Sequence, residues 1–552
     1  MCEGCTLLRM RSKIIAGFAA GLLLLGACGG DNTAAHGGTV VIAGLADPDN
    51  LLPPVERTLA AKAVSDLLFE KLAEIGPGLN TFGDAGFEPR LAQRWEWSRD
   101  SLQITLHLDP RARWHDGKPV RAGDVRFAFS VYTDPQVAAN GGDDLGLAID
   151  SVSVSDSVTC VAWFKRRTPE QFFTLVNTLV PLPEHLLGGT PRDSIRTAPF
   201  TRKPVGSGPF RFVSWDAKSK LEIAAVDSFY RGRAKLDRVI WTFMPEMQTA
   251  TQKLSAGEAD FLEALPPPVA AQAAKDSALR VVAYSSFDYG FVRFNLHDGV
   301  SARPHPIFGD RALRRALSMA LDRRLLVKSV FDTLAHTGLG PFVRAQWTSD
   351  TTLAELPFDR AAAARALDSL GWRAGADGMR AKNGKPLEFT LLRPSSSKSR
   401  ELLAVLIQEQ LRQVGVSVKI APLDFNAFME GATKRKFDAL MDGLHTGPSP
   451  GGIRDSWTSR GIARGAGPNY GGYASATFDA QVDSALSSMD ARGAKAHFRA
   501  AYQTIVDDAP AIWLFEPVAV AGMNKRLKTG TLRADGWWLG VTAWSVAAGG
   551  RR

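Results

Sequence analysis

Apolar and polar residues alternate from Leu102 to Leu108, with Leu102, Ile104, Leu106 and Leu108 on one side and Gln103, Thr105 and His107 on the other. A two-residue period is that of a half-buried strand. Asp109-Pro110 ends it, because proline has no N–H to give a ladder. His115-Asp116-Gly117 then reads as a turn in which Gly117 can take positive φ. A helix follows, with Asp124 near its positively polarised start and Val125, Phe127 and Phe129 among its apolar residues. Later the period lengthens. Asp310 can cap a helix carrying Leu313, Leu317, Ala320 and Leu321 on one face, and Asp359 starts another that Gly371 closes. Glu401 to Val414 forms a third helix, stopped by Gly415, and Val416 to Ile420 alternates as a strand. Helix followed by strand, repeated, predicts a mixed α/β architecture.

The amino terminus has its own pattern. Arg9, Arg11 and Lys13 precede an apolar run from Ile14 to Leu25, interrupted only by small residues. At roughly a dozen residues this is a signal-peptide core and too short to span a bilayer. It ends in Leu25-Gly26-Ala27-Cys28, which resembles a bacterial lipobox and implies cleavage after residue 27 and lipid attachment at Cys28. Two or more acyl chains hold a protein on a membrane where one binds marginally. Cys2 and Cys5 form a C-x-x-C upstream of Met10, an alternative start, and are given no redox or metal role. The mature chain keeps only Cys28 and Cys160, so no intramolecular disulfide is available once Cys28 is lipidated. Cys160, in the strand-like run 158–163, is expected to be a small core residue.

With 552 residues, 45% of them hydrophobic, and no second long apolar segment, the expected molecule is a large folded body behind a short polar linker at 31–38. The net charge of +9 comes from basic residues scattered among nearly as many acids. Without a basic stripe interleaved with aromatics, nucleic-acid binding is not expected. The nine histidines form no H-E-x-x-H pair, and there is no G-x-S-x-G elbow or Walker A lysine. Gly206-Ser207-Gly208 lacks the lysine of a phosphate loop, and Pro209 removes a donor. Neither catalytic nor metal-ligating residues are assigned, and no cofactor is expected.

The stretch Pro89-Arg90-Leu91-Ala92-Gln93-Arg94-Trp95, then Trp97-Ser98-Arg99-Asp100, Trp114-His115-Asp116-Gly117-Lys118-Pro119 and Ala122 to Phe127 resembles the signature of a known family. That family is the extracytoplasmic solute-binding proteins, family 5, of oligopeptide, dipeptide and nickel ABC transporters. Pro204 to Phe210 with Trp215, Asp227 to Gly232, Leu236 to Val239, Leu254 to Asp260, Phe291 to Asn295 and Tyr502 to Leu514 continue the likeness in order. One departure is Arg121, where relatives usually place a Ser or Thr N-cap, a loss of ~1 kcal/mol in helix stability. The resemblance implies a two-lobe periplasmic-binding-protein fold (type II, Venus-flytrap) with an extra domain in the first half. The expected division is 39–84 first lobe, 85–202 extra domain, 203–288 first lobe again, 289–509 third lobe and 510–552 first lobe and tail. Trp95, Leu106, Trp114, Val125, Phe210, Trp215, Leu317 and Trp513 are expected in the core.

By the same resemblance, a lipid-anchored monomer at a bacterial cell surface or in the periplasm would capture a small-molecule or peptide ligand between its lobes. It would then deliver that ligand to ABC permease and ATPase subunits. The ligand loop would follow the Phe437-Asp438 strand, making Asp442, Gly443, Leu444, His445, Thr446, Asn295 and Trp457 the candidate binding residues. Peptide-binding relatives carry an aromatic residue after the loop glycine and, three further on, an aspartate for the peptide's ammonium; here those places hold Leu444 and Gly447. A buried unpaired ammonium costs several kcal/mol, so the departure bears on ligand class. A secreted lipoprotein hydrolase and a sensory ligand receptor are the alternative readings.

Overall fold

The computed structural model describes residues 37–547, except 300, 302 and 464–467. The apolar leader and Cys28 lie outside the described residues. Among the described residues no helix is long and apolar enough to cross a membrane.

Two large sheets organise the molecule. The first has seven strands in the order Leu279–Tyr284, Ala519–Asn524, Phe261–Leu262, Thr39–Gly44, Arg238–Phe243, Lys220–Ala225 and Phe210–Asp216. Thr39–Gly44 lies inside it, parallel to both neighbours, and all of its residues from Val40 onward are buried. That explains why it reads as a continuous apolar run rather than an alternating one. The second sheet has six strands in the order Ala335–Thr337, Ala511–Pro517, Asp288–Phe294, Ala439–His445, Glu388–Pro394 and Ser417–Leu423. A separate antiparallel sheet, Ala92–Trp97, Gln103–Leu108, Thr159–Phe164 and Ile149–Asp156, forms the extra domain.

The chain passes between the two large sheets twice, through 285–287 and through Val518. One crossing joins Leu279–Tyr284 to Asp288–Phe294, and the other joins Ala511–Pro517 to Ala519–Asn524. The third lobe therefore runs to Pro517, and the expected return to the first lobe at 510 is corrected. Ala511–Pro517 reads as an apolar strand, and only its pairing with Gly290–Arg293 shows which sheet claims it.

Local signals shape the elements as their residues dictate. In Gln103–Leu108 the even positions Ile104, Leu106 and Leu108 are buried. Asp310, Asp322 and Asp359 cap the helices Arg311–Met319, Arg323–Phe331 and Arg360–Ser369 with side-chain oxygens. The helix expected from Glu401 starts earlier, at Lys398, because Ser397 supplies its cap. Leu106, Trp114, Val125, Phe210, Leu317 and Trp513 are buried. Trp95 and Trp215 are half-buried, since their indole N–H groups reach out to Asp84 and Asp47 at 2.8 and 2.9 Å. Cys160 is a buried free thiol, pushed up to about 12 by burial.

The signature residues act as joints. Buried Asp124 accepts from the Arg121 N–H (2.8 Å), the Trp114 indole (3.1 Å) and the Glu184 N–H (3.0 Å). It thus closes the helix start that Arg121 leaves without a side-chain cap. His115 Nδ1 accepts from the Gly206 N–H at 3.2 Å, which leaves Nε2 to donate to the Gly208 carbonyl at 3.0 Å. This turn staples the extra domain to the first lobe.

Candidate functional site

The three parts of the chain meet around a small chamber of about 140 Å³. The first lobe gives it Lys62 from the helix Leu59–Leu68, then Lys71, Glu74 and Asp535; the extra domain gives Phe173 and Asn177. From the third lobe comes Pro448 of the loop after Ala439–His445. Both signs of charge face this space, each held by a neighbour. Lys62 and Lys71 lie 2.9 and 3.6 Å from Asp66. Asp535 is 2.7 Å from Arg533, and Glu74 pairs with Arg90. Beyond Ser449 the space widens into a groove of about 470 Å³ between the extra domain and the third lobe, again lined by Phe173 and Asn177.

Behind the chamber, burial pushes the Glu56 carboxyl up to about 7, with the Ser65 hydroxyl bonded to it. Glu70 is likewise raised to about 7 by burial, although Arg231 lies 3.1 Å away. Both therefore keep their protons to a higher pH than an exposed glutamate would.

The residues singled out in the sequence fall in several places. Asp442 is buried, its Oδ2 accepting from Arg293 Nε at 2.8 Å and its Oδ1 from the Gly443 N–H at 2.8 Å. Arg293 lies over the rings of Trp457 (4.5 Å) and Phe291 (4.9 Å). Trp457 is itself buried, giving its N–H to the Tyr289 hydroxyl at 2.9 Å. Gly443 faces Arg400, whose Nη2 would lie 2.7 Å from any added Cβ. His445 is half-exposed at the strand end, 2.9 Å from Asp288. Leu444 packs on the core, and Thr446 bonds through its hydroxyl to the Phe287 carbonyl at the crossing. Asn295 is buried, with its amide given to the Arg435 and Phe437 carbonyls at 3.2 and 3.0 Å. The chamber itself is touched by a later residue of the loop, Pro448.

Sequence reasoning missed Lys62, Lys71, Glu74 and Asp535. Lys62, Lys71 and Glu74 share one stretch, but Asp535 comes from the far end of the chain, and together they form no local motif. Only Lys62 and Asp66, spaced four apart on one helix face, carried a readable signal.

This geometry, with two lobes joined by paired crossings and a chamber between them, defines a two-lobe ligand-binding protein. Comparison with known proteins gives its family. Residues 86–462 match the family of bacterial extracellular solute-binding proteins, family 5, and the chain belongs to it as the solute-binding component of an importer. Its relatives include the oligopeptide-binding protein AppA of Bacillus subtilis, 26% identical over 91% of this chain and 92% of AppA. The structure of that AppA with a nonapeptide superposes with a TM-score of 0.74 at 25% identity, covering 93% of this chain and 99% of AppA. CtaP of Listeria monocytogenes superposes at 0.81 with 22% identity, covering 93% and 99%. NikZ of Campylobacter jejuni, solved with Ni(L-His), superposes at 0.76 with 24% identity, covering 92% and 99%.

Proposed function

We propose that the chain captures a peptide-like or other small polar solute in the chamber between its lobes and delivers it to an ABC permease, with ATP hydrolysed by separate subunits. The observation that carries this reading is the pair of lysines and the pair of carboxylates facing one chamber. A zwitterion presents both charges at once, and placed counter-charges fix its orientation. Glu74 and Asp535 then take the ammonium, in place of the acid that Gly447 lacks. Asp442 serves the lobe's interior, and His445 stands at the strand end near the crossing. In this reading the chain does no covalent chemistry.

Ligand binds only the folded state, so saturation at a hundredfold over Kd stabilises by about 2.7 kcal/mol, a melting shift of a few degrees in a chain this large. A thermal-shift screen over free peptides, amino-blocked peptides, oligosaccharides and metal chelates is the test. Free peptides should win, and Glu74→Gln with Asp535→Asn should lose them. A win for sugars or chelates, or undiminished peptide binding in that double variant, would overturn the assignment of the chamber's charges to a zwitterion.

We further propose that the protein is a lipoprotein held on a bacterial membrane through Cys28, after removal of residues 1–27. Supporting this are the charged start, the apolar run and Leu25-Gly26-Ala27-Cys28. Cys28→Ser should abolish lipid labelling and release the protein from membranes.

A further inference from the structure

Away from the crossings at 285–288 and 518, two side-chain hydrogen bonds join the third lobe to the rest of the molecule among the described residues, and both end at one point. Ser449 Oγ donates to Glu170 Oε2 at 2.7 Å. The Trp347 indole N–H donates to Thr81 Oγ1 at 2.8 Å. Thr81 in turn gives its own hydroxyl proton to Glu170 Oε1. We infer that the Thr81–Glu170 pair is a latch that holds the third lobe shut against the first lobe and extra domain.

The chemistry is directional. An indole can only donate and a carboxylate can only accept, so the third lobe supplies donors while the opposite side supplies acceptors. Burial pushes the Glu170 carboxyl above its usual range, and the Thr81 and Ser449 hydroxyls and the Arg454 charge pull it back. A carboxylate so placed is expensive to leave unpaired. The two donors come from separate segments but move as one piece. Gln346, beside Trp347, gives its amide to the Gly447 and Ser449 carbonyls at 2.9 and 3.1 Å. Phe82 sets its ring edge-on to Trp347 at 5.7 Å and helps align the indole. Rotation about the crossings must break both bonds, whereas the Thr81–Glu170 contact itself survives opening. The latch also lies where the chamber meets the outer groove, since Glu170 and Ser449 both line that groove.

The test needs no ligand. X-ray scattering of the ligand-free protein should show a compact form for wild type and for Glu170→Gln, whose amide oxygen still accepts from Thr81 and whose N–H can reach Ser449. Glu170→Ala should give a larger radius of gyration, with hydrogen exchange at 345–348 and 446–450 speeded at least tenfold, equivalent to about 1.4 kcal/mol. Exchange in the first-lobe sheet should stay unchanged. If Glu170→Ala does not fold, Ser449→Ala combined with Trp347→Phe removes the two donors from the third-lobe side and carries the same expectation. A wild type as expanded as the alanine variant, or a glutamine variant that opens like alanine, would overturn the latch.

Discussion

A guanidinium buried as completely as Arg293 must find its partners inside the protein, and it has one carboxylate and a set of rings. Its two terminal nitrogens make no hydrogen bond among the described residues, so Asp442 at Nε and the faces of Trp457, Phe291 and Tyr470 carry the interaction. Removing one member of a buried pair leaves the other charge uncompensated, at a cost of roughly 3–5 kcal/mol. Asp442→Ala should therefore lower stability by about that much in denaturant unfolding. Arg293→Met with Asp442→Leu should recover most of it, because apolar replacement of a buried pair is often neutral. A loss of ligand binding in Asp442→Ala alone would then report on folding. The sequence showed an acid on the strand that leads into the loop 446–450. It could not show that an arginine one strand away had already claimed it.

At the scale of elements, the joint between the extra domain and the first lobe rests on a turn and a glycine run. A Cβ on Gly206 would lie 1.8 Å from the Leu68 carbonyl oxygen, and one on Gly208 2.6 Å from that of Leu67. Only glycine lets the chain pass so near the end of the helix Leu59–Leu68. His115 fills the remaining space, and burial pulls its imidazole down to about 4 from an ordinary 6.5. The sign follows directly. Below pH 6.5 the unfolded chain takes up a proton that the folded one refuses, so this group's contribution is full above 6.5. It is lost as pH falls toward 4, by up to about 3 kcal/mol. Glu56 and Glu70, raised to about 7, tilt the curve the other way. The difference between wild type and His115→Gln isolates the histidine. That gap in unfolding free energy should shrink as pH drops from 7 to 4. These joints were legible because their residues cluster in short ordered runs. The strands and capped helices were legible because period and caps are local. The charged chamber was not, because it exists only once segments remote in sequence are brought together.

For the whole molecule, the decisive fact is how the third lobe enters and leaves. Tyr284 and Ala519 are register partners on adjacent antiparallel strands. Just beyond the crossing, Asp288–Phe294 and Ala511–Pro517 are again antiparallel neighbours. The third lobe is thus inserted between two strands that already lie side by side. Joining 284 to 519 with a tight Gly-containing hairpin should leave a folded first lobe and extra domain. Expressing 287–518 alone should give a folded third lobe. Each piece should show its own cooperative thermal transition by calorimetry; a molten profile in either would mean that the shared core around Phe287 and Tyr289 cannot be divided.

That arrangement also decides how the molecule responds to being pulled. Gly38 sits against Val546, within 3.4 Å of where its Cβ would be, so both described ends of the chain leave the same corner of the first lobe. A load applied there meets Thr39–Gly44 in the interior of the seven-stranded sheet. The third lobe hangs outside that path, its chain entering and leaving through two strands that are bonded to each other. Tension applied at that corner would strain the first lobe and leave the third lobe unloaded, with its crossings and its contacts to Thr81 and Glu170 outside the line of pull.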